Sequence, residues 1–270
     1  MSLIDYFAVH IVPRMYRGKG ALHPSETGHL TDRISCVREY DVNIFFYEKN
    51  GTVIAIDAGY KNHGGFFEGV KQLGIDADKI EAVFMTHVDP DHGGGLDVNS
   101  TCKMQNAQIY LGEIEENYLT NIYTRKKIGP FKVKNSVVFK SGYRLLKDRE
   151  TVYINEIKIQ AILVSGHTLG HMAYLIDDKY LFTGDSLAIN SVGGYCFFDI
   201  FNYSSKMNIE SLNTLQSFCE DKDIEYLFTS HNGYTSDIKQ AFSHINEIPQ
   251  WKKKGFVFDD SAPYDCFCEK

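Results

Sequence analysis

The 270-residue chain has no apolar run of about 18 residues or more, so no segment of it reads as a membrane-spanning helix. It also lacks a basic start. Met1–His10 carries Asp5 and neither Lys nor Arg, which excludes a secretory signal peptide and makes the cytoplasm the expected location. Positive charge is in deficit, with 28 Lys and Arg against 35 Asp and Glu. The resulting net charge of −7 argues against nucleic acid as a partner, because phosphate binding is driven by Lys/Arg neutralisation. No Cys-x-x-Cys pair occurs among Cys36, Cys102, Cys196, Cys219, Cys266 and Cys268, and so scattered a set reads as free thiols. The tail pair Cys266 and Cys268 has no partner ligands nearby in sequence and reads as incidental. No internal repeat of short period is present either. What is there, 43% hydrophobic and 23% charged residues, suits one large domain over residues 1–270 with a sizeable buried core.

Against that background one stretch stands out: Thr86-His87-Val88-Asp89-Pro90-Asp91-His92. It places four candidate metal ligands, His87, Asp89, Asp91 and His92, within six positions at the end of the apolar run Ala82–Met85. Ligands so crowded converge only if the backbone turns sharply, and Gly93-Gly94-Gly95 permits a turn there. This density of imidazole and carboxylate is what a binuclear hydrolytic site needs, since paired cations polarise a substrate oxygen and activate water at neutral pH. Four further apolar runs end in the same kind of residue. Val53–Ile56 leads into Asp57, Ile159–Val164 into His167 and His171, Tyr180–Phe182 into Asp185, and Tyr226–Ser230 into His231. Strand-end residues gathered at one sheet edge are how α/β-type scaffolds build active sites.

This ordered set, Asp57, the His87–His92 cluster, His167, Asp185 and His231, closely resembles the metallo-β-lactamase superfamily of metal-dependent hydrolases. The resemblance runs from the first strands to about His231. It implies an α+β fold, a four-layer αββα sandwich of two central mixed sheets with helices outside. It implies two divalent metal ions: the first on His87, Asp89 and His167, the second on Asp91, His92 and His231, with Asp185 bridging and Asp57 orienting the ligands from behind. The chain departs from the family at one position, reading H-x-D-x-D-H where H-x-H-x-D-H is usual, so that Asp89 stands for the second histidine. A carboxylate there makes the cage harder and shifts preference from zinc toward iron and manganese, so Zn, Fe and Mn all stay open. The implied activity is that of a binuclear metallohydrolase. A metal-bridging hydroxide cleaves an ester-like bond (lactone, thioester or phosphoester) of a small metabolite, with Asp91 carrying the proton to the leaving group. The alternative is a di-iron redox protein reducing oxygen or nitric oxide, because flavodiiron proteins share this fold and carry a carboxylate at the same position. Those relatives need a flavin domain, and the roughly forty residues after His231 offer no room for one.

Strands are expected at about 3–12, 43–48, 52–57, 81–86, near 107–111, 137–140, 151–154, 157–164, 172–176, 179–183 and 225–229. Helices are expected at about 64–73, within Glu113–Tyr123, at 208–220 and at 235–247. Two irregular segments, Pro13–Arg33 with its basic residues and the aromatic, Gly-containing Ala188–Tyr203, are candidates to border a small-molecule substrate. Tyr195 and His63 are the weaker substrate-contacting candidates, and His171 and Tyr234 read as supporting or packed side chains. The aromatic tail 251–270, with Trp251, Phe256, Phe258, Tyr264 and Phe267, is expected to pack back on the domain or to form a homodimer contact.

Overall fold

The computed structural model describes residues 22–128, 131–199 and 201–247. The expected strand at 3–12, most of the basic segment 13–33, and the tail with Cys266 and Cys268 lie outside the described residues. The first half of the chain begins with β1 (Gly28–His29), β2 (Ile34–Glu39), β3 (Val42–Lys49) and β4 (Thr52–Ile56), followed by helix α1 (Gly65–Gln72). Strand β5 (Ile80–Met85) delivers the short helix α2 (Pro90–Gly93), and β6 (Gln108–Gly112) precedes α3 (Glu116–Leu119). A hairpin, β7 (Arg125–Ile128) and β8 (Phe131–Val133), then leads to β9 (Arg144–Leu146). The second half contains β10 (Thr151–Ile154), β11 (Ile157–Leu163), β12 (Met172–Ile176), β13 (Tyr180–Phe182) and a small hairpin, β14 (Leu187–Ile189) with β15 (Gly194–Cys196). Helix α4 (Ser205–Cys219), β16 (Tyr226–Thr229), β17 (Gly233–Thr235) and α5 (Ile238–Ala241) complete it.

Two mixed sheets result. One has the order β1-β2-β3-β4-β5-β6-β9 and the other β10-β11-β12-β13-β16-β17. Side chains alternate across each pleat, and the alternation sorts them into three layers. Phe45, Ile56, Phe84 and Tyr110 from the first sheet meet Ile159, Tyr174, Phe182 and Phe228 from the second. Their in-between neighbours Phe46, Ala55, Val83 and Met85 face Phe66 and Val70 of α1 on the outside. Ala173, Leu175, Leu181 and Leu227 face Leu212 and Leu215 of α4 on the opposite outside. This is the four-layer αββα sandwich expected from the sequence. Because most strands are buried on both faces, they read as near-continuous apolar runs.

Several local expectations are corrected. No helix covers 235–247: Asp237 caps α5 by accepting from the amide of Gln240, and by His244 the backbone amide donates instead to Gly194 O at 2.9 Å. Residues 137–140 form no strand, because the amides of Val138 and Val98 bond Asp97 Oδ2 (3.1 Å) and Val138 O (2.8 Å), which ties the segment to a loop. The helix within Glu113–Tyr123 shrinks to α3, and Asn121, with φ 58°, closes the turn beyond it. Strand β2 and both small hairpins were not anticipated.

Candidate metal centre

The strands that run parallel, β4, β5 and β6 in one sheet and β13 with β16 in the other, bring their carboxyl ends to one edge. There Asp57 follows β4, His87 follows β5, Asp185 follows β13 and His231 follows β16, while His167 comes from the loop between β11 and β12. Gly93 and Gly94 have ordinary helical φ of −90° and −57°, so the glycine run does not supply a left-handed turn. Its use is close approach. A Cβ on Gly95 would lie 2.1 Å from Ala58 O, so only glycine lets the loop carrying His92 press against the loop carrying Asp57.

Each imidazole is held at Nδ1 and turned inward at Nε2. His92 Nδ1 meets Asp57 Oδ2 at 2.7 Å, and His87 Nδ1 meets Thr86 Oγ1 at 2.9 Å. His167 Nδ1 meets Asn202 Oδ1 at 3.3 Å, and His231 Nδ1 lies in close contact with the carbonyl of Asp41. Asp57 also accepts from the Thr86 amide (2.8 Å) and hydroxyl (2.7 Å), so one carboxylate fixes both the start of the cluster and His92. The inward atoms surround Asp185. Its Oδ2 lies 3.2 Å from His231 Nε2, 3.6 Å from His167 Nε2 and 4.0 Å from His87 Nε2, and its Oδ1 lies 3.4 Å from His92 Nε2. The Asp185 backbone is positioned by His171, whose Nε2 accepts from the Asp185 amide at 3.0 Å.

Burial opposes charge on His92 and His231, but the carboxylates around them, Asp185 first, outweigh it and raise both well above the usual imidazole range. Burial likewise opposes ionisation of Asp185, and the charges of His231 and His92 outweigh it and hold this carboxyl far below its usual value. The donor set fits metal ions. Nε2 of His87, Nε2 of His92 and Oδ1 of Asp185 are buried with no hydrogen-bond partner among the described residues, an arrangement that costs free energy unless a cation completes it. Two groups that could hold a metal ion emerge among the described residues, Asp91, His92, Asp185 and His231, and His87, His167 and Asp185, sharing Asp185.

The profile of the metallo-beta-lactamase superfamily matches residues 37–231. The chain belongs to this superfamily. It is 30% identical over 115 residues to the probable polyketide biosynthesis zinc-dependent hydrolase PksB of Bacillus subtilis, covering 43% of this chain and 42% of that one. It is also 30% identical over 153 residues to the hydroxyacylglutathione hydrolase of Dictyostelium discoideum, covering 54% and 47%. Each match therefore spans less than half of the relative's length. Among solved structures, a B3 metallo-beta-lactamase with an active-site glutamic acid superposes with a TM-score of 0.60 at 17% identity, over 85% of this chain and 89% of that one. BJP-1, a subclass B3 enzyme of Bradyrhizobium japonicum, gives 0.57 at 19% identity, over 79% and 80%.

Asp89 sits differently from the other candidate ligands of the cluster. Asp89 Oδ2 lies 3.3 Å from His167 Nε2 and 3.6 Å from His87 Nε2, but it is not part of the group that closes on Asp185. Its nearest cationic partner is Arg125, whose Nη2 is 2.8 Å away. Burial alone would raise the Asp89 pKa; the Arg125 charge, aided by His167 and His87, holds it well below the usual range. Burial, reinforced by Arg125, lowers the His167 pKa to about 4, leaving that ring neutral and available as a ligand.

A cavity of about 180 Å³ opens beside the ligands. Asp89, Asp91 and Asp185 line it together with Asp41, and Leu22, Phe197 and Phe201 give it an apolar wall. Tyr60 also reaches it, donating to Asp41 Oδ1 at 2.7 Å. Neither of the weaker substrate candidates lines this cavity. Tyr195 stacks on His244 with ring centroids 4.9 Å apart. His63 packs edge-on against Tyr40 at 4.4 Å and accepts from the Gly65 amide. Tyr234 stacks on Phe228, as a packed side chain does. Sequence reasoning missed Asp41, Tyr60, Arg125 and Glu115. Glu115 is fully buried and joins two ligand loops, accepting from the amide of Val88 at 3.1 Å and the hydroxyl of Thr168 at 2.6 Å. Nothing in the local sequence marks these four, because each acquires its role from residues distant in the chain.

Proposed function

We propose that the chain is a metal-dependent hydrolase cleaving an ester-like bond, in a lactone, thioester or phosphoester, of a small molecule. The observation that carries this reading is the pair of ligand groups sharing Asp185 at the floor of a cavity. Zinc, iron or manganese bound there would supply Lewis acidity and water activation. The chain's own residues would do the rest. His92 and His231 on one side of Asp185, joined there by Asp91, and His87 and His167 on the other, would keep their Nε2 atoms in place through the Nδ1 contacts behind the rings. Phe197, Phe201 and Leu22 would exclude bulk water and seat an apolar acyl or alkyl portion. Asp91, a side chain 22% exposed with Oδ2 3.5 Å from His231 Nε2, would take the proton of the attacking water and pass it to the leaving group.

The di-iron redox alternative needs the Asp89 carboxylate as an iron ligand, and its ion pair with Arg125 favours the hydrolase. The test is elemental analysis of purified protein together with turnover of lactone, thioester and phosphodiester substrates. Bound metal with hydrolysis, both lost together in Asp185→Ala, is the expected result. Full hydrolytic activity in Asp185→Ala would refute the reading, and iron with reductant-dependent oxygen consumption would replace it.

A further inference from the structure

Arg125 stands where the first metal group would be completed. Its Nη2 lies 2.8 Å from Asp89 Oδ2 and 3.3 Å from His167 Nε2, two atoms that the superfamily motif assigns to one ion. The guanidinium is fastened independently of either. Nη1 donates to the His167 carbonyl at 2.5 Å, and Nη2 donates to the Phe201 carbonyl at 2.8 Å. A guanidinium stays charged at all physiological pH and its planar fork suits several acceptors at once. The consequence is an asymmetric centre. One ligand group keeps four donors, Asp91, His92, Asp185 and His231; the other closes on three, with Asp89 already neutralised by an internal cation.

We propose that Arg125 competes with the metal for Asp89 and His167, so that the Asp91–His92–Asp185–His231 group binds its ion tightly and the His87–His167–Asp185 group binds the second weakly. The inference rests on the metal centre of the hydrolase reading and deepens it. The number of ions under working conditions becomes a property set by Arg125 and by the available metal concentration. Arg125 is a positioning residue here, acting on the second ion through Asp89 and His167.

The experiment is a zinc titration of the metal-stripped 270-residue protein against a chromogenic chelator, with elemental analysis after dialysis at graded free zinc. Wild type should bind one equivalent tightly and a second at least about tenfold more weakly, the scale of effects that groups behind the ligands exert on metal affinity. Arg125→Ala should tighten the second step and bring the two together, with circular dichroism confirming the fold. Should that variant not fold, Asp89→Asn decides. It should leave the second step nearly unchanged, whereas loss of a directly ligating Asp89 should weaken it by at least the roughly 10–100-fold that groups behind the ligands cost. Two equally tight equivalents in active wild-type protein, or an unchanged gap in folded Arg125→Ala, would overturn this proposal and leave the hydrolase reading intact. Wild-type protein that takes up no zinc and hydrolyses nothing would instead overturn the hydrolase reading, and this proposal with it.

Discussion

At the scale of single residues, the candidate ligands are held by side chains buried behind them. Asp57 is the clearest case, since one carboxylate satisfies the Thr86 amide, the Thr86 hydroxyl and His92 Nδ1. It does so from φ 61°, a left-handed conformation that Asp tolerates better than most residues. Asp57→Ala should leave those buried donors unpaired and lower metal affinity by about 10–100-fold; chelator competition would measure it, and unchanged affinity would mean that His92 is oriented by packing alone. His63 gives a second residue-scale expectation. Burial, with a smaller contribution from the Lys103 charge, lowers its pKa from 6.5 to about 4, so its 3.6 Å approach to Glu39 is a contact of a neutral ring and not an ion pair at neutral pH. A lowered imidazole pKa means that the unfolded chain takes up the proton first, so stability is full above about 6.5 and is lost as pH falls toward about 4. Melting temperatures across that window should fall less steeply for His63→Asn than for wild type. Parallel curves would assign the acid sensitivity elsewhere.

At the scale of elements, the ligand-bearing loops are locked to one another by close contact. The Ala58 amide donates to the His92 carbonyl at 2.8 Å, and the Gly95 amide donates to the Gly59 carbonyl at 2.9 Å. Both bonds join the loop after β4 to α2 and the residues just beyond it. Gly95→Ala would drive a methyl group into the backbone oxygen of Ala58, and backbone cannot rotate aside as a side chain can. We expect a loss of about 3 kcal/mol, the upper range for overpacking, seen as a lower urea midpoint at unchanged slope; a variant as stable as wild type would show that the two loops separate easily. Glu115 performs a comparable tie between the loops after β5 and β11. The strands feeding these loops were legible because burial on both faces makes them apolar runs ending in Asp or His. The helix expected at 235–247 was not, since the amide of His244 is taken by Gly194 across the fold.

At the scale of the whole molecule, the site sits on the seam between two sheets. The first sheet's loops supply His87, Asp91 and His92, and the second sheet's loops supply His167, Asp185 and His231. Ions bound across this seam would add to the apolar packing and the hydrogen bonds, such as that of Thr168 to Glu115, that join the two halves, and binding to the folded state alone stabilises it by mass action. Treatment with EDTA should therefore lower the melting temperature by several degrees, and added zinc should restore it. Identical melting with and without chelator would show that the ions contribute nothing to holding the halves together. None of the described helices is long and apolar enough to cross a membrane.

What the sequence by itself determined is the family, the layered fold and which candidate ligands stand at strand ends, because strand burial and residue chemistry are written locally in residue type and order. What only the tertiary structure decided is which cation Asp89 meets. The residue is conspicuous in sequence, yet its partner Arg125 lies 36 positions away on a hairpin that no local pattern announced. Asp41, Tyr60 and Glu115 follow the same rule. A carboxylate's role is set by which cation, amide or hydroxyl the folded chain brings within about 3 Å of it, and that distance is a property of the assembled sheets.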